Sequence, residues 1–423
     1  MKKILALLLA AIMVLSLAAC GPASNPGTTD PAGNKTTEPT GDEVTKVTLK
    51  VWGPSEDQAE GGWLIKMEEA FAEAHPELDI TWENSVCSEG DAGGLVTADP
   101  SAAGDVYMFA NDQLGGLINA GAISRLGGDA EAQVKADNSQ LLINTVTYTD
   151  GNIYGFPVTN NTWFMYYNKA IFSEEDVKNL DTMLTKGVVA FPWGIGWYGG
   201  TFFFANGGKL FGDSGLDAQA GIQFGADNGG YEAALKMAQL SANPNMKDDA
   251  NGMGIAGLKD GTIGAAFSGS WDAAGLREAL GDNLGAVQLP MVEIGGEMKQ
   301  MMSFAGSKAV GVNPHASNPG VATKFAAFLA SVDAQQARYE MRGVIPAATV
   351  LAEQDAVKTD MIAMAEIATM NNCALLQSVI PEMGQYWTPM GTFGGMIANG
   401  EITEENYKEQ VEQMMMSLNN TGL

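Results

Sequence analysis

The folded part of the chain opens with two different spacings of apolar residues. Val47, Leu49 and Val51 alternate with polar or larger side chains, which predicts a β-strand because successive strand residues point to opposite faces. After a Gly-Pro-Ser break, apolar residues recur at helical spacing until His75, and a short apolar stretch at 78–82 follows. The helical positions are Trp63, Leu64, Met67, Ala70 and Phe71. The pattern predicts a strand, helix, strand unit.

Further strands are predicted along the chain. The apolar stretch 105–110 has polar neighbours, and residues 154–158 and 162–167 form two more apolar runs. The polar residues 159–161 between the last two predict a segment that crosses from one part of the fold to another. Helical and extended stretches alternate throughout, with an amphipathic helix predicted at 319–332. This alternation is typical of α/β domains with parallel strands.

The N-terminal segment has the features of an export signal. Lys2 and Lys3 precede an uncharged stretch from residue 4 to 19, which is shorter than the roughly 20 apolar residues that a spanning helix needs. We therefore predict a signal peptide at 1–19. The stretch ends in Leu-Ala-Ala-Cys, which resembles the lipobox of bacterial lipoprotein precursors, and this resemblance implies that Cys20 carries the lipid. Residues 20–46 then form the lipidated Cys and a polar tether, predicted to be disordered because it lacks core-forming side chains.

Composition narrows the function further. The formal net charge is −27, which disfavours phosphate-backbone binding, so no nucleic-acid partner is expected. About 375 residues beyond the tether are enough for two domains. Apart from Cys20, the cysteines are Cys87 and Cys373, which form either two buried thiols or one disulfide. With only two histidines, His75 and His315, no metal site, cofactor or catalytic residue is expected.

Several segments, in order, resemble extracellular solute-binding proteins of carbohydrate ABC importers, of the maltose-binding type. The segments are GDVYMFANDQLGGLINAGAI (104–123), IYGFPV with YYNK (153–169), ANGGKLF (205–211), DGTIGAAFSGSWD (260–272), SFAGSKAVGVNP (303–314) and IPEMGQYW (380–387). The resemblance implies a two-lobed, periplasmic-binding-protein-like α/β fold of type II, with the ligand in a cleft between lobes joined by crossing strands. It places the N-lobe at 47–158 plus 302–355 and the C-lobe at 163–298 plus 356–423. The crossings would lie near 159–162, 295–299 and Ala356.

The same resemblance implies the residues that contact a sugar. Aromatic platforms are expected at Trp271, Trp387 and Trp197, because a planar indole can stack on the C–H face of a sugar ring. For each tryptophan the alternative is a place in the core. Asp112 matches a carboxylate that accepts sugar hydroxyls, although an Asp after a strand is also a good helix N-cap. Phe109 matches a cleft aromatic and could equally be a core residue.

Three positions depart from the family pattern. Gln113 replaces a basic residue, Asn161 replaces an acidic one, and Thr388 replaces an aromatic, so maltose itself is in doubt as the ligand. Asp272 could orient a hydroxyl or cap a helix. Glu56 and Asp57 lie in the first strand-to-helix loop, where a solvated charge is the simpler interpretation.

The resulting hypothesis is a monomeric lipoprotein on the outer face of the cell membrane. It would capture a mono- or oligosaccharide by hinge closure and deliver it to ABC importer permease subunits, with the lipid as its only membrane contact. One alternative is a non-sugar solute such as a polyamine or ferric iron, the latter through Tyr166 and Tyr167. Another is a secreted glycoside-cleaving enzyme, which would need a pair of carboxylates across the scissile bond.

Overall fold

The computed structural model describes residues 44–419. Its strands are β1 Thr45–Gly53, β2 Leu78–Val86, β3 Val106–Ala110, β4 Phe156–Asn161, β5 Phe164–Asn168, β6 Val189–Phe191, β7 Lys209–Leu210, β8 Ile222–Gln223, β9 Met246–Asp248, β10 Ala265–Ser268, β11 Leu284–Val287, β12 Met291–Ile294, β13 Glu297–Gln300, β14 Ser303–Val312 and β15 Ala374–Leu376. Its α-helices are α1 Trp63–Ala74, α2 Ala92–Ala98, α3 Leu114–Asn119, α4 Gly128–Asp137, α5 Gln140–Thr145, α6 Leu180–Leu184, α7 Gly196–Gly199, α8 Thr201–Ala205, α9 Gly230–Ser241, α10 Met253–Asp260, α11 Ala273–Leu280, α12 Pro319–Leu329, α13 Val332–Arg342, α14 Thr349–Ala352, α15 Asp355–Lys358, α16 Met361–Asn372, α17 Gly384–Ala398 and α18 Tyr407–Leu418.

The first predicted unit is confirmed. In β1, Val47, Leu49 and Val51 are buried on one face, as their alternation requires. Helix α1 buries Trp63, Leu64 and Phe71, and it stops at His75 because the residue before a proline disfavours helical backbone. Strand β2 pairs in parallel with β1. The hydrophobic pattern thus determines both the elements and the faces that they bury.

The first sheet has the strand order β15-β14-β3-β1-β2, with β4 also paired to β14. Strands β2, β1 and β3 are parallel, whereas β14 runs antiparallel to both β3 and β4. The α/β class is confirmed, but the sheet is mixed rather than wholly parallel. Strands β14 and β15, which come from late in the chain, are parallel to each other and run opposite to the other strands.

The second sheet has the order β11-β5-β10-β6-β9. Strand β5 is antiparallel to β10 and β11, and the other pairs are parallel. Phe191, Phe267 and Trp163 pack together on one face of this sheet, within a large cluster of buried side chains. A separate cluster around Val51, Phe109 and Val310 forms the core of the first sheet.

Two short segments carry the chain between the sheets. Thr162 and Trp163 separate β4 in the first sheet from β5 in the second. Residues 295–299, where a crossing was expected, instead belong to the hairpin of β12 and β13, whose turn uses positive φ at Gly295 and Gly296. The chain returns to the first sheet just afterwards, through Met301 and Met302, which precede β14. The lobe limits stated above stay predictions.

Two further points concern the described residues. Cys87 and Cys373 are both buried free thiols, which decides between the two alternatives left open by the sequence. No helix between residues 44 and 419 is long and apolar enough to cross a membrane. The predicted signal peptide, Cys20 and nearly all of the tether lie outside the described residues.

Candidate functional site

A cavity of about 670 Å³ is lined by segments from both sheets. Asn161 lies at the end of β4 and Lys308 on β14, both in the first sheet. Trp271 lies on the opposite wall, in the 3-10 turn Ser270–Asp272 that follows β10 of the second sheet. Helices α11, α13 and α16 and the loops that carry Glu56 and Glu89 also line the cavity. The cavity therefore has the position expected of a cleft between two α/β halves.

A buried network of charges supports one side of the cavity. The Asp57 carboxylate is fully buried and accepts hydrogen bonds of 2.6 Å from both Arg338 and Arg342. Glu89 accepts from Arg338 at 3.2 Å and lies 3.6 Å from the Lys308 ammonium. Burial alone would raise the pKa of Glu89, but Lys308 and Arg338 outweigh it and hold this pKa below its ordinary value. The earlier interpretation of Asp57 as a solvated loop charge is wrong.

Arginine is concentrated at this cavity. The whole sequence contains four arginines, and Arg277, Arg338 and Arg342 all line it. The Arg277 guanidinium pairs with Asp360, which also accepts a 3.2 Å hydrogen bond from the Tyr339 hydroxyl. Each of these arginines already has a carboxylate partner, so the wall is rich in hydrogen-bonding groups and its charges are balanced. Such a wall suits a ligand that is polar and uncharged.

Trp271 is the most exposed of the predicted platforms, with 52% of its surface accessible. Its ring folds back over Gly269, where an added Cβ would lie only 2.0 Å from the indole. A glycine at this position is therefore required for the ring to take its place on the cavity wall. The Trp197 ring lies 5.8 Å from that of Trp271, and Trp197 is half-buried.

Trp387 approaches the same region from α17. It is half-buried, with its ring 5.8 Å from Phe304 and 5.0 Å from Tyr386. Its backbone packs against Gly196, where an added Cβ would lie 2.7 Å from the Trp387 carbonyl oxygen. Gly196 directly precedes Trp197, so all three predicted tryptophans belong to neighbouring segments. None of the three is fully enclosed in the core, and of these only Trp271 lines the cavity itself.

Asp112 and Gln113 follow β3 in the 3-10 turn Asn111–Gln113. Burial raises the pKa of Asp112 to about 6, and its side chain caps no helix. The Gln113 amide donates to the carbonyls of Glu89 and Gly90 and accepts from the Gly93 backbone N–H, at 2.6 to 3.1 Å. Gln113 thus fixes the loop that carries Glu89. Neither residue lines the cavity, contrary to the expectation of direct contact.

Of the remaining polar candidates, Asn161 lines the cavity and Asp272 does not. Asn161 is half-buried and lines the cavity. The Asp272 carboxylate accepts a 2.5 Å hydrogen bond from the Ser268 hydroxyl, and its side chain makes no cap bond to α11. Asp272 therefore fixes the turn that presents Trp271, and it is not itself part of the cavity wall.

Phe109 is a correction to the predicted site. Its side chain has no accessible surface and packs in the core of the first sheet, beside Tyr107. The ring occupies the space left by Gly155, where an added Cβ would lie 3.0 Å from it. A ring in this position cannot stack on a ligand.

The paired tyrosines do not form a shared iron site. Tyr166 and Tyr167 belong to different buried clusters, on opposite faces of β5. The Tyr166 hydroxyl donates to the Gly269 carbonyl at 2.9 Å. Two phenolic oxygens that point to opposite faces cannot bind one ion together. Trp163, which lies in the apolar run 162–167, is fully buried.

Several cavity residues were not anticipated from the sequence. They are Ser270, Arg277, Lys308, Arg338, Tyr339, Arg342 and Glu366. Two features of the sequence could have pointed to some of these residues. Arginine is rare in this chain, and Glu366 is the only charged residue in the apolar stretch 361–372. Neither signal reveals which positions meet in space.

Comparisons with known proteins agree with this geometry. A family model described as bacterial extracellular solute-binding protein matches residues 66–365. The galactooligosaccharide-binding protein of Bacillus subtilis is 26% identical over 97% of this chain and 96% of its own length. A maltooligosaccharide ABC transporter solute-binding lipoprotein of Streptococcus pneumoniae is 26% identical over 67% of this chain and 69% of its own length.

Solved structures show the same architecture. A structure described as being with acarbose has 47% sequence identity and a TM-score of 0.85, over 89% of this chain and 99% of that one. A maltodextrin-binding protein from L. casei without ligand has 25% identity and a TM-score of 0.81, over 89% and 100% of the two chains. The fold is therefore the type II periplasmic-binding-protein fold that the sequence segments implied.

Proposed function

Because the chain belongs to the family of bacterial extracellular solute-binding proteins, we propose that it captures an oligosaccharide for an ABC importer. The observation that carries this proposal is the exposed Trp271 ring on the wall of a polar cavity between two sheets. An open indole supplies a rigid apolar face for sugar carbons, and the surrounding side chains supply partners for the hydroxyls. A volume of about 670 Å³ is within the usual range for small-molecule sites.

Three observations support an oligosaccharide rather than another solute. Two relatives are named for galacto- and maltooligosaccharides, and a structure with 47% identity is described as being with acarbose. The balanced charges of the cavity wall favour an uncharged ligand over a polyamine. Because Asn161 stands where the family has an acid, we do not extend the proposal to maltose itself.

Capture is proposed to proceed by hinge closure. The sugar first rests on the Trp271 face, and the two halves of the fold then close around it. The short segments at Thr162–Trp163 and Met301–Met302 join the two sheets and are the natural places for such a rotation. The closed form would present a joint surface to permease subunits of the importer.

The N-terminal features complete the proposal. Export by the signal peptide and lipidation at Cys20 would hold a monomer at the outer face of the cell membrane. Because β1 begins at Thr45, the tether would comprise residues 21–44, with a mean reach of about 25–29 Å. Incorporation of labelled fatty acid into the wild type, and its loss in Cys20→Ala, would test the anchor. Equal labelling of both forms would contradict it.

A thermal-shift screen tests the ligand class. Galactooligosaccharides, maltooligosaccharides and acarbose are compared with monosaccharides, amino acids, polyamines and ferric iron. A ligand that binds only the native state at 100 times its dissociation constant adds about 2.7 kcal/mol to the unfolding free energy, which raises Tm clearly. A shift with polyamine or iron alone would overturn the proposal. Release of shorter sugars during incubation would favour the enzyme alternative.

A further inference from the structure

Glu366 is a buried acid that the proposed function leaves unexplained. It lies on α16, lines the cavity, and has only 1% of its surface accessible. Its neighbours on the helix, Ile362 and Ala365, pack in an apolar cluster with Tyr166 and Leu276. A carboxyl group in such surroundings loses its hydration, and it is retained at a cost in stability unless it has a partner.

The hydrogen bonding of Glu366 is incomplete within the protein. Its Oε1 atom is buried and has no partner among the described residues. The Tyr166 hydroxyl, which packs nearby, already donates to the Gly269 carbonyl. Ser270 and the Lys308 ammonium on β14 both act to lower the pKa of Glu366, but burial outweighs them. Buried polar atoms are nearly always satisfied, so an unsatisfied one at a cavity wall points to a partner from outside.

Glu366 lies on a helix that packs against the turn carrying Trp271. Ser270 and Trp271 are consecutive in one turn, and α16 packs against this turn. Glu366, Ser270 and Trp271 all line the same cavity. A sugar ring stacked on the indole presents its hydroxyls at the edge of the ring, toward the cavity that Ser270 and Glu366 also line.

We propose that Glu366 is a ligand-binding residue of the cavity, and that its carboxyl group, together with Ser270, hydrogen-bonds a ring hydroxyl of the sugar on Trp271. This inference rests on the proposed function and identifies one residue that would contact the sugar. Burial raises the pKa of Glu366 to about 8, with opposing effects from Ser270 and Lys308. This shift favours the protonated carboxyl group, which can both donate to and accept from a hydroxyl.

Isothermal titration with maltotetraose and with a galactooligosaccharide tests the inference. Glu366→Gln keeps a donor and an acceptor of the same shape, so its Kd stays within about threefold of the wild type. Glu366→Leu removes both groups and leaves the sugar hydroxyl unpaired, so its Kd rises by about ten- to a hundredfold. An unchanged Kd in Glu366→Leu would overturn the role of Glu366.

Glu68→Leu is the matched control. Glu68 is also buried, its Oε1 atom also lacks a partner among the described residues, and it lies on α1 away from the cavity. Its replacement leaves Kd unchanged. An equal loss of affinity in both leucine variants would mean a general structural effect and would overturn the inference.

If Glu366→Leu does not fold, a structure of the wild type with bound maltotetraose tests the inference instead. A sugar hydroxyl within hydrogen-bonding distance of Glu366 is expected, and a sugar out of reach of this carboxyl would overturn the inference. Failure of the proposed function looks different, because the wild type would then bind neither sugar.

Discussion

The indole ring of Trp197 lies 5.8 Å from that of Trp271, with the two planes inclined by 32°. The two rings extend one apolar surface from the cavity wall toward α7. Their positions depend on glycines, since Gly269 makes room for the Trp271 ring and Gly196 allows the α17 backbone to approach. The places of these aromatic residues therefore depend on the absence of a side chain at two positions.

We expect Trp271→Ala to abolish most binding with little effect on the fold. The side chain is about half exposed, so the unfolding free energy of the unliganded protein should change by no more than about 0.5 kcal/mol. Calorimetry and thermal melts on the same samples measure both quantities. A large fall in the Tm of the unliganded protein would mean that the ring belongs to the core.

Trp163→Ala should instead strongly destabilise the fold. This ring is fully buried among Phe191, Tyr198 and Phe267, and its removal should lower the unfolding free energy by about 3–5 kcal/mol. Urea denaturation of the unliganded protein checks this prediction, and an unfolding free energy close to that of the wild type would contradict it.

Asp57→Ala should strongly destabilise the protein. The change leaves Arg338, which has only 3% of its side chain accessible, without its main carboxylate partner. Removing one partner of a buried pair costs about 3–5 kcal/mol. Glu175→Ala, which breaks the exposed pair with Lys178, should have little effect on the unfolding free energy. Urea denaturation compares the two variants, and equal effects would contradict the buried network.

Glu366 should make stability depend on pH in a defined direction. Its pKa rises from 4.5 to about 8 on folding, so the unfolded chain ionises first as pH increases. The wild type should therefore lose stability between about pH 4.5 and 8, by an amount on the order of 3–5 kcal/mol from this group alone. Glu366→Gln should lack this part of the loss, and its stability should approach that of the wild type near pH 4.

Unfolding free energies measured across this pH range test the prediction as a difference between the two proteins. Glu68→Gln is the control, because burial raises the pKa of Glu68 only to about 7 and its removal should flatten the profile less. Identical pH profiles for the wild type and Glu366→Gln would contradict the prediction.

The sequence predicted the elements better than it predicted their contacts. Strand β1 and helix α1 follow from local spacing, because each buries one face whatever its distant partners are. Asp57 was misjudged because its partners Arg338 and Arg342 are 281 and 285 residues away. A Ser-Glu-Asp loop looks solvated until those guanidinium groups are brought to it.

For the aromatic residues of the site, too, the sequence did not show which side chains are exposed. Phe109 and Trp271 both follow or end a strand in segments that resemble the family, but one is enclosed and the other is open. The Phe109 ring is enclosed beside Gly155, a residue of another segment that leaves room for it inside the core. Sequence spacing carries no information about such a contact between separate segments.

The scarcity of arginine gives this protein a built-in chemical probe. Arg125 is exposed, and the other three arginines of the chain line the cavity, where Arg277 keeps 45% of its side chain accessible. A dicarbonyl reagent such as phenylglyoxal would thus modify few positions, and peptide mass spectrometry would resolve each one. Labelling of Arg277 against Arg125 as an internal standard would report occupancy of the cavity in unmodified wild-type protein, without any engineered dye.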